Sequence, residues 1–153
     1  MPKKRRLLVL GPSFRRRKGE ELLPAFERYD GLFFRIARKY LGDVKDVDVV
    51  VMMNDLTLAD GETPLPYKEP EGNQWGHQTM PAETLEAAKR RNKIFLEKKL
   101  RKGKYSEIFL SMGKKYAEAL PDASQHGVRV IFPATGGPGP KAQALKNWIG
   151  GRK

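Results

Sequence analysis

Apolar residues in this chain come in short, dense runs separated by polar stretches, and the runs alternate between strand-like and helix-like spacing. Leu7-Leu-Val-Leu10 is apolar at every position, as strands covered on both faces are, and it ends at Gly11-Pro12-Ser13. The segment Gly31 to Leu41 predicts a helix, with Leu32, Phe33, Ile36 and Tyr40 on the inner face and Arg35, Arg38 and Lys39 outside. Gly42 is a natural stop for it. Val47 to Met53 predicts a second buried strand, whereas Asn54 to Met80 is polar and rich in proline and predicts a long loop of the kind that carries function.

Pro81-Ala82-Glu83 marks a helix start, and Leu85, Ala88, Asn92, Phe95, Leu96 and Leu100 extend the helical stripe to Gly103. Tyr105 to Leu110 then predicts a strand, Lys114 to Leu120 a short helix, Val128 to Phe132 a strand and Lys141 to Ile149 a closing helix. Strand and helix alternate throughout. The pattern predicts an α/β fold of three layers, with a mostly parallel sheet of about four to five strands and helices on both faces, joined by right-handed crossovers. The 153 residues fit a single domain, with short basic termini, 1–5 and 150–153, mobile when unbound.

Charge sharpens the picture. Thirty Lys and Arg face 18 Asp and Glu, a formal net charge of +12, and the excess sits in runs. Such a field attracts phosphate without reading sequence, which makes nucleic acid the leading partner. The absence of cysteine removes structural disulfides, thiolate zinc sites and cysteine nucleophiles, and suits a cytoplasmic location. The apolar run at Leu7 is too short for a signal-peptide core or a membrane span.

Three sets of residues carry candidate chemistry. Lys3, Lys4, Arg5 and Arg6, then Arg15, Arg16, Arg17 and Lys18, lack nearby acids until Glu20 and are the leading phosphate contacts, joined by Lys89, Arg90 and Lys93 on the longest helix. Thr135, Gly136, Gly137, Gly139 and Lys141 form a glycine-rich turn before the last helix, where backbone N–H groups and one ammonium approach a phosphate. Its spacing fits neither the Walker nor the dinucleotide pattern, and Pro138 and Pro140 remove two donors. In the long loop, Tyr67 and Trp75 offer stacking surfaces, and Asn54, Asp55 and Asn73 offer groups that read base edges; the alternative is a flap packed on the core. Ser13 invites a nucleophile reading, but His77 and His126 sit in polar segments without an evident partner acid, so no catalytic triad is assigned. The same two histidines give no metal site, and no cofactor is implied.

The order of landmarks resembles a prokaryotic α/β domain family of uncharacterised function, whose first strand ends in a Cys-Ser-Lys-like turn. Here that turn reads Gly11-Pro12-Ser13. Tyr29-Asp-Gly-Leu-Phe33 is similar to the family's Tyr-x-Gly-x-Phe helix start, Pro66-Tyr67 to its Pro-Tyr, Ser111-Met-Gly-Lys-Lys-Tyr116 to its third-strand exit, and Gly136 to Trp148 to its last turn and helix. The resemblance implies a role in nucleic-acid or nucleotide metabolism. The cysteine is absent, and Met53-Asn-Asp-Leu-Thr-Leu58 replaces the small-residue turn after the second strand, so the resemblance implies a scaffold kept without that chemistry.

The combined reading is a basic protein that binds nucleic acid through phosphates. RNA, ribosomal or transfer, is favoured over DNA because no helix-turn-helix, zinc finger or dimer-forming heptad appears. A ribosomal or ribosome-associated place, with ribosomal proteins as neighbours, follows from that reading, and a membrane partner does not. The competing class is an enzyme of N-glycosidase or transferase type acting on a nucleotide or nucleobase. That class requires the turns at Gly11–Ser13, Asn54–Asp55 and Gly136–Lys141 to face one pocket holding an oriented acid or nucleophile.

Overall fold

A strand that is apolar at every position is stable only where both its faces are covered and both its edges are hydrogen-bonded, and Leu7–Leu10 meets these conditions at the centre of a sheet. The structure is a computed structural model that describes residues 5–13, 15–42, 44–53, 56–67, 82–123, 127–133 and 137–151. In chain order its elements are β1 (Arg5–Leu10), β2 (Leu23–Pro24), α1 (Ala25–Arg28), α2 (Leu32–Leu41), β3 (Val47–Met52), β4 (Leu58–Asp60), β5 (Pro64–Leu65), α3 (Ala82–Lys102), β6 (Tyr105–Ser111), α4 (Lys114–Ala117), β7 (Arg129–Ile131) and α5 (Pro138–Ile149). The main sheet has five strands in the order β4-β3-β1-β6-β7. β3, β1, β6 and β7 are parallel, and β4 pairs antiparallel to β3 at one edge. β2 and β5 form a separate antiparallel pair.

Register explains the core. Leu8 lies between Val49 and Phe109, and Val9 between Val50 and Leu110. Because side chains alternate along a strand, Leu7 and Val9 join Val50, Met52 and Ile108 in one buried cluster that includes Ala88 and Leu96 of α3. Leu8 and Leu10 join Val51 and Phe109 in a second, with Phe34 and Ala37 of α2 and Leu145, Trp148 and Ile149 of α5. Each fully buried aliphatic side chain of this kind contributes about 1.5–3 kcal/mol.

The alternating strands and helices follow the sequence pattern, with differences at particular elements. α2 buries Phe34, Ile36, Ala37 and Leu41 and leaves Leu32 and Tyr40 exposed, so the inner stripe is rotated from the expected one. Phe34, Ala37 and Leu41 form a stripe at helical spacing, as do Phe33, Ile36 and Tyr40 one residue earlier, and tertiary packing chooses between them. The expected long loop contains β4 and β5. The Leu58–Ala59 pair is buried, and its short apolar signal is masked in sequence by the acids and prolines around it. Leu56, with φ of 72°, makes the turn into β4. Asn92 of α3 secures that turn: its amide donates to the Leu56 and Ala119 carbonyls at 2.8 and 2.9 Å and accepts the Leu58 N–H at 3.1 Å. α5 starts at Pro138, three residues early, because proline at a first helical position has a suitable fixed φ and gives up an N–H that has no helical partner.

One buried charge had no sequence signal. Arg28 is 1% exposed, and its guanidinium donates to the carbonyls of Arg17 (2.6 Å), Glu21 (2.5 Å) and Leu65 (3.2 and 3.3 Å). A buried cation is tolerated only when its donors are satisfied, and these bonds tie the 15–21 segment to β5.

Where β1 ends, backbone approaches backbone. A Cβ on Gly11 would stand 2.6 Å from the Met112 Cβ. Gly11→Ala is therefore expected to destabilise the protein by about 1–3 kcal/mol through overpacking, measured as a lowered urea midpoint with unchanged m-value; an unchanged midpoint would show that this turn relaxes freely.

Candidate functional site: a cleft at the carboxyl edge

Parallel strands deliver all their exits to one edge, and here those exits enclose a cavity. A cleft of about 390 Å³ opens where Gly11–Ser13 leaves β1, Ser111–Gly113 leaves β6 and Pro133 follows β7. The start of α2 (Gly31–Phe34), Tyr116, and Pro138 and Lys141 of α5 complete its lining. Close approach shapes it: a Cβ on Gly31 would lie 2.7 Å from the Ser13 Oγ, so glycine there leaves room for the hydroxyl, which donates to the Arg15 carbonyl at 3.0 Å. Most of the wall is aromatic or aliphatic. Ser13 and Ser111 supply buried hydroxyls, Lys141 the single cation, and no carboxylate is among the lining residues described. Burial raises the Tyr116 hydroxyl pKa above its ordinary value, which keeps it a neutral donor.

The cations divide into two groups. At the amino edge, Arg5 grips Asp48 through two bonds of 2.9 and 2.5 Å, and Arg6 binds Asp46 at 3.0 and 3.3 Å and also the carbonyls of Trp148 and Ile149. Both residues lie in β1, so the strand begins inside the segment expected to be a free basic end. Lys99 pairs with Asp60 at 2.5 Å, and Arg129 faces Glu107 at 3.8 Å; Asp30, by contrast, stands next to Gly31 of the cleft and accepts from Arg35 and Arg38 there. Burial opposes the charge on Asp30, yet the two arginines hold its carboxyl below the ordinary range. Other cations on the segments after β1 and β6, and at the start of α5, have no such partner among the described residues. Arg15, Arg17 and Lys18 are exposed beyond β1, Lys114 is exposed at the exit of β6, and Lys141 is half-buried in the cleft; among the described residues none of these has an acidic partner. Arg16 instead lies over the Tyr29 ring at 5.4 Å.

The remaining sequence candidates fall in different places. Lys89, Arg90 and Lys93 are exposed on α3. Tyr67 stands 6.0 Å from the Arg28 guanidinium, away from the cleft lining. Gly137 caps α5 and Gly139 lies inside its first turn, where an added Cβ would meet nothing within 4 Å. Pro138 and Pro140 carry no N–H, and the Lys141 N–H is spent on the Gly137 carbonyl at 3.3 Å, so the Lys141 side chain is this turn's main route to an anion. Lys3, Lys4, Asn54, Asp55, Asn73, Trp75, His77, His126, Thr135 and Gly136 lie outside the described residues.

Compared with protein-family models, curated proteins and solved structures, the chain matches none. Function is therefore read from the site itself.

A larger groove of about 930 Å³ runs between β7 and the end of α5. Its charges are internally matched, Arg6 to Asp46 and Arg129 to Glu107, and the Trp148 Nε1–H donates to Glu107 at 3.0 Å. The smaller cleft is the better ligand site because it holds groups without protein partners. The Ser111 hydroxyl, on a residue only 7% exposed, has no hydrogen-bond partner among the described residues. The sequence placed Ser111 only at the head of the Ser111–Tyr116 strand exit and gave it no site role; the pairing of Leu10 with Ser111 brings it beside the first turn. Among the described residues no helix is long and apolar enough to cross a membrane.

The amino-edge cluster generates a pH prediction. The bond from Arg5 is the main cause holding Asp48 below the ordinary carboxylate range, against burial, and the Tyr105 hydroxyl donates to the same carboxylate at 2.6 Å. A lowered folded-state pKa gives stability that is present above the unfolded value of about 3.9 and is lost as pH falls through the folded value. Asp48→Asn should therefore be less stable than the native chain at pH 7, with the gap closing below about pH 4. Unfolding midpoints from pH 2.5 to 7 check this, and parallel curves would show that the cluster does not contribute.

Proposed function

We propose that the protein binds RNA through the carboxyl edge of its sheet, using unpaired cations around the cleft as phosphate contacts. The observation that carries this reading is the segregation of charge. Acids neutralise Arg5, Arg6, Arg35, Arg38 and Lys99 where they stand, while Lys141 lines the cleft and Arg15, Arg17, Lys18 and Lys114 are exposed on the segments that follow β1 and β6, without acidic partners among the described residues. A cluster of cations beside an aromatic-walled cleft is the arrangement used by proteins that bind single-stranded nucleic acid.

The scaffold we infer has three layers, with helices on both faces of the sheet, and the partition of buried side chains into two clusters supports it. The resemblance to the prokaryotic α/β family is supported by convergence: Gly11–Ser13, the Gly31–Phe33 helix start, Ser111–Gly113 with Tyr116, and Lys141 all line the cleft. Co-location of two of the turns that an enzyme requires keeps that reading in second place. The lining holds hydroxyls but, among the described residues, neither a carboxylate nor a histidine to activate them, so binding is favoured over group transfer.

The test is a salt titration of binding to single-stranded RNA. Replacing Arg15, Arg17 and Lys18 together with Ala should weaken binding and reduce the slope of log K against log salt by about 0.7 for each phosphate that is no longer neutralised. Arg129→Ala, which removes a cation facing Glu107, should leave the slope unchanged. Equal slopes for the native chain and the triple variant would remove the basis of the reading.

A further inference from the structure

We propose that the cleft holds a single nucleotide unit, its base against the aromatic wall that includes Phe33 and Tyr116 and its phosphate on Lys141. This deepens the RNA reading of the same edge and rests on it. Three features point to that ligand. The cleft, at about 390 Å³, is in the range of sites for one small molecule and too small for a run of stacked bases. Its lining is largely apolar and includes Phe33 and Tyr116, which suits a planar ring, while Lys141 and the absence of a carboxylate among the described lining residues favour an anion over a cation. Ser111, a residue only 7% exposed, lines the cleft with a hydroxyl that no described residue bonds and whose oxygen stays open, so a base edge or ribose hydroxyl can bond it where an apolar occupant cannot.

The surroundings favour a nucleotide over other aromatic anions. A lone anion would use Lys141 and leave Arg15, Arg17, Lys18 and Lys114 idle, while a nucleotide in a chain carries neighbouring phosphates to them. Free and chain-borne nucleotides share the chemistry inside the cleft and differ only at this rim.

Calorimetric titration of the full chain tests the assignment. The probes are uridine and adenosine 5′-monophosphates, inorganic phosphate, a short single-stranded RNA and the same RNA made entirely of abasic nucleotides. At least one mononucleotide should bind ten times or more tighter than inorganic phosphate. Ser111→Ala, nearly isosteric and expected to fold, should weaken that binding about three- to tenfold. Phe33→Ala should weaken it about five- to a hundredfold by removing stacking area. RNA binding much tighter than the mononucleotide assigns a chain-borne ligand; equal affinities assign a free nucleotide.

Mononucleotide binding no better than phosphate, or unaffected by Ser111→Ala, overturns the cleft assignment. If RNA and its abasic counterpart then bind equally and with a steep salt slope, the rim reading stands while the cleft assignment falls. If no probe binds, both fall.

Discussion

Everything at the carboxyl edge depends on the double burial of β1. A strand with no polar face can sit only where side chains cover it above and below, and a strand with both edges paired cannot slip without breaking two ladders. Leu8 is locked between Val49 and Phe109, and this register carries through to the strand exits. Because Leu10 pairs with Ser111, the Gly11 turn meets Met112 at a distance that only glycine allows, and the Gly11 N–H is bonded to the Ser111 carbonyl at 2.9 Å. The cleft is thus a consequence of register. Its floor is set by the same hydrogen bonds that hold the sheet together, so the groups lining it are preorganised rather than carried on independent loops.

Parallel topology also sorts the charges. Strands that all point one way collect their first residues at one edge, and here those residues are of both signs: Arg5 and Arg6 at the start of β1, Asp46 and Asp48 around the start of β3, Glu107 in β6. Cross-strand proximity turns them into ion pairs, each of modest value because the groups remain partly exposed. Asp46, Asp48 and Glu107 are engaged at that edge, and Asp30, next to the cleft, is engaged by Arg35 and Arg38. At the opposite edge the loops after β1 and β6 bring cations whose nearest structural bonds are to backbone, and Arg28 fastens the loop that carries them by donating to the Arg17 and Glu21 carbonyls. A buried arginine satisfied by carbonyls rather than by a carboxylate keeps its full charge, and it adds to the positive field at this side of the domain.

These two levels were legible in the sequence to different degrees. The apolar runs at Leu7–Leu10, Val47–Met52 and Tyr105–Leu110 identify the parallel core because their signal is local and strong. The inner face of α2 was not legible, since Phe33, Ile36, Tyr40 and Phe34, Ala37, Leu41 compete as equivalent stripes and only packing against α5 and the sheet distinguishes them. β4 was hidden because two buried residues among acids and prolines are too few to show a period. Runs of Lys and Arg read alike in sequence whether or not acids reach them, so the engagement of Arg5 and Arg6 appears only once β1 and β3 are in register. For the cleft, the turns at Gly11 and Lys141 were visible as glycine and proline punctuation. Arg28 had no sequence signal, and Ser111 was visible only as the head of the Ser111–Tyr116 strand exit, because the burial of each is a property of the fold.

That distinction bears on the binding reading proposed for the cleft. Catalysis by a serine hydroxyl requires a base within hydrogen-bond reach, and the Ser13 hydroxyl donates to the Arg15 carbonyl, which orients it without raising its nucleophilicity. The prolines at the start of α5 remove two backbone donors from that turn, and Lys141 adds a flexible ammonium beside it. A lysine holds charge without fixing geometry, which is adequate for attracting a phosphate and poor for stabilising a transition state. Phe33 is seated on α2, Tyr116 on α4 and Ser111 at the end of β6. The cleft thus combines an apolar, partly aromatic lining with the hydroxyls of Ser13 and Ser111 and the ammonium of Lys141.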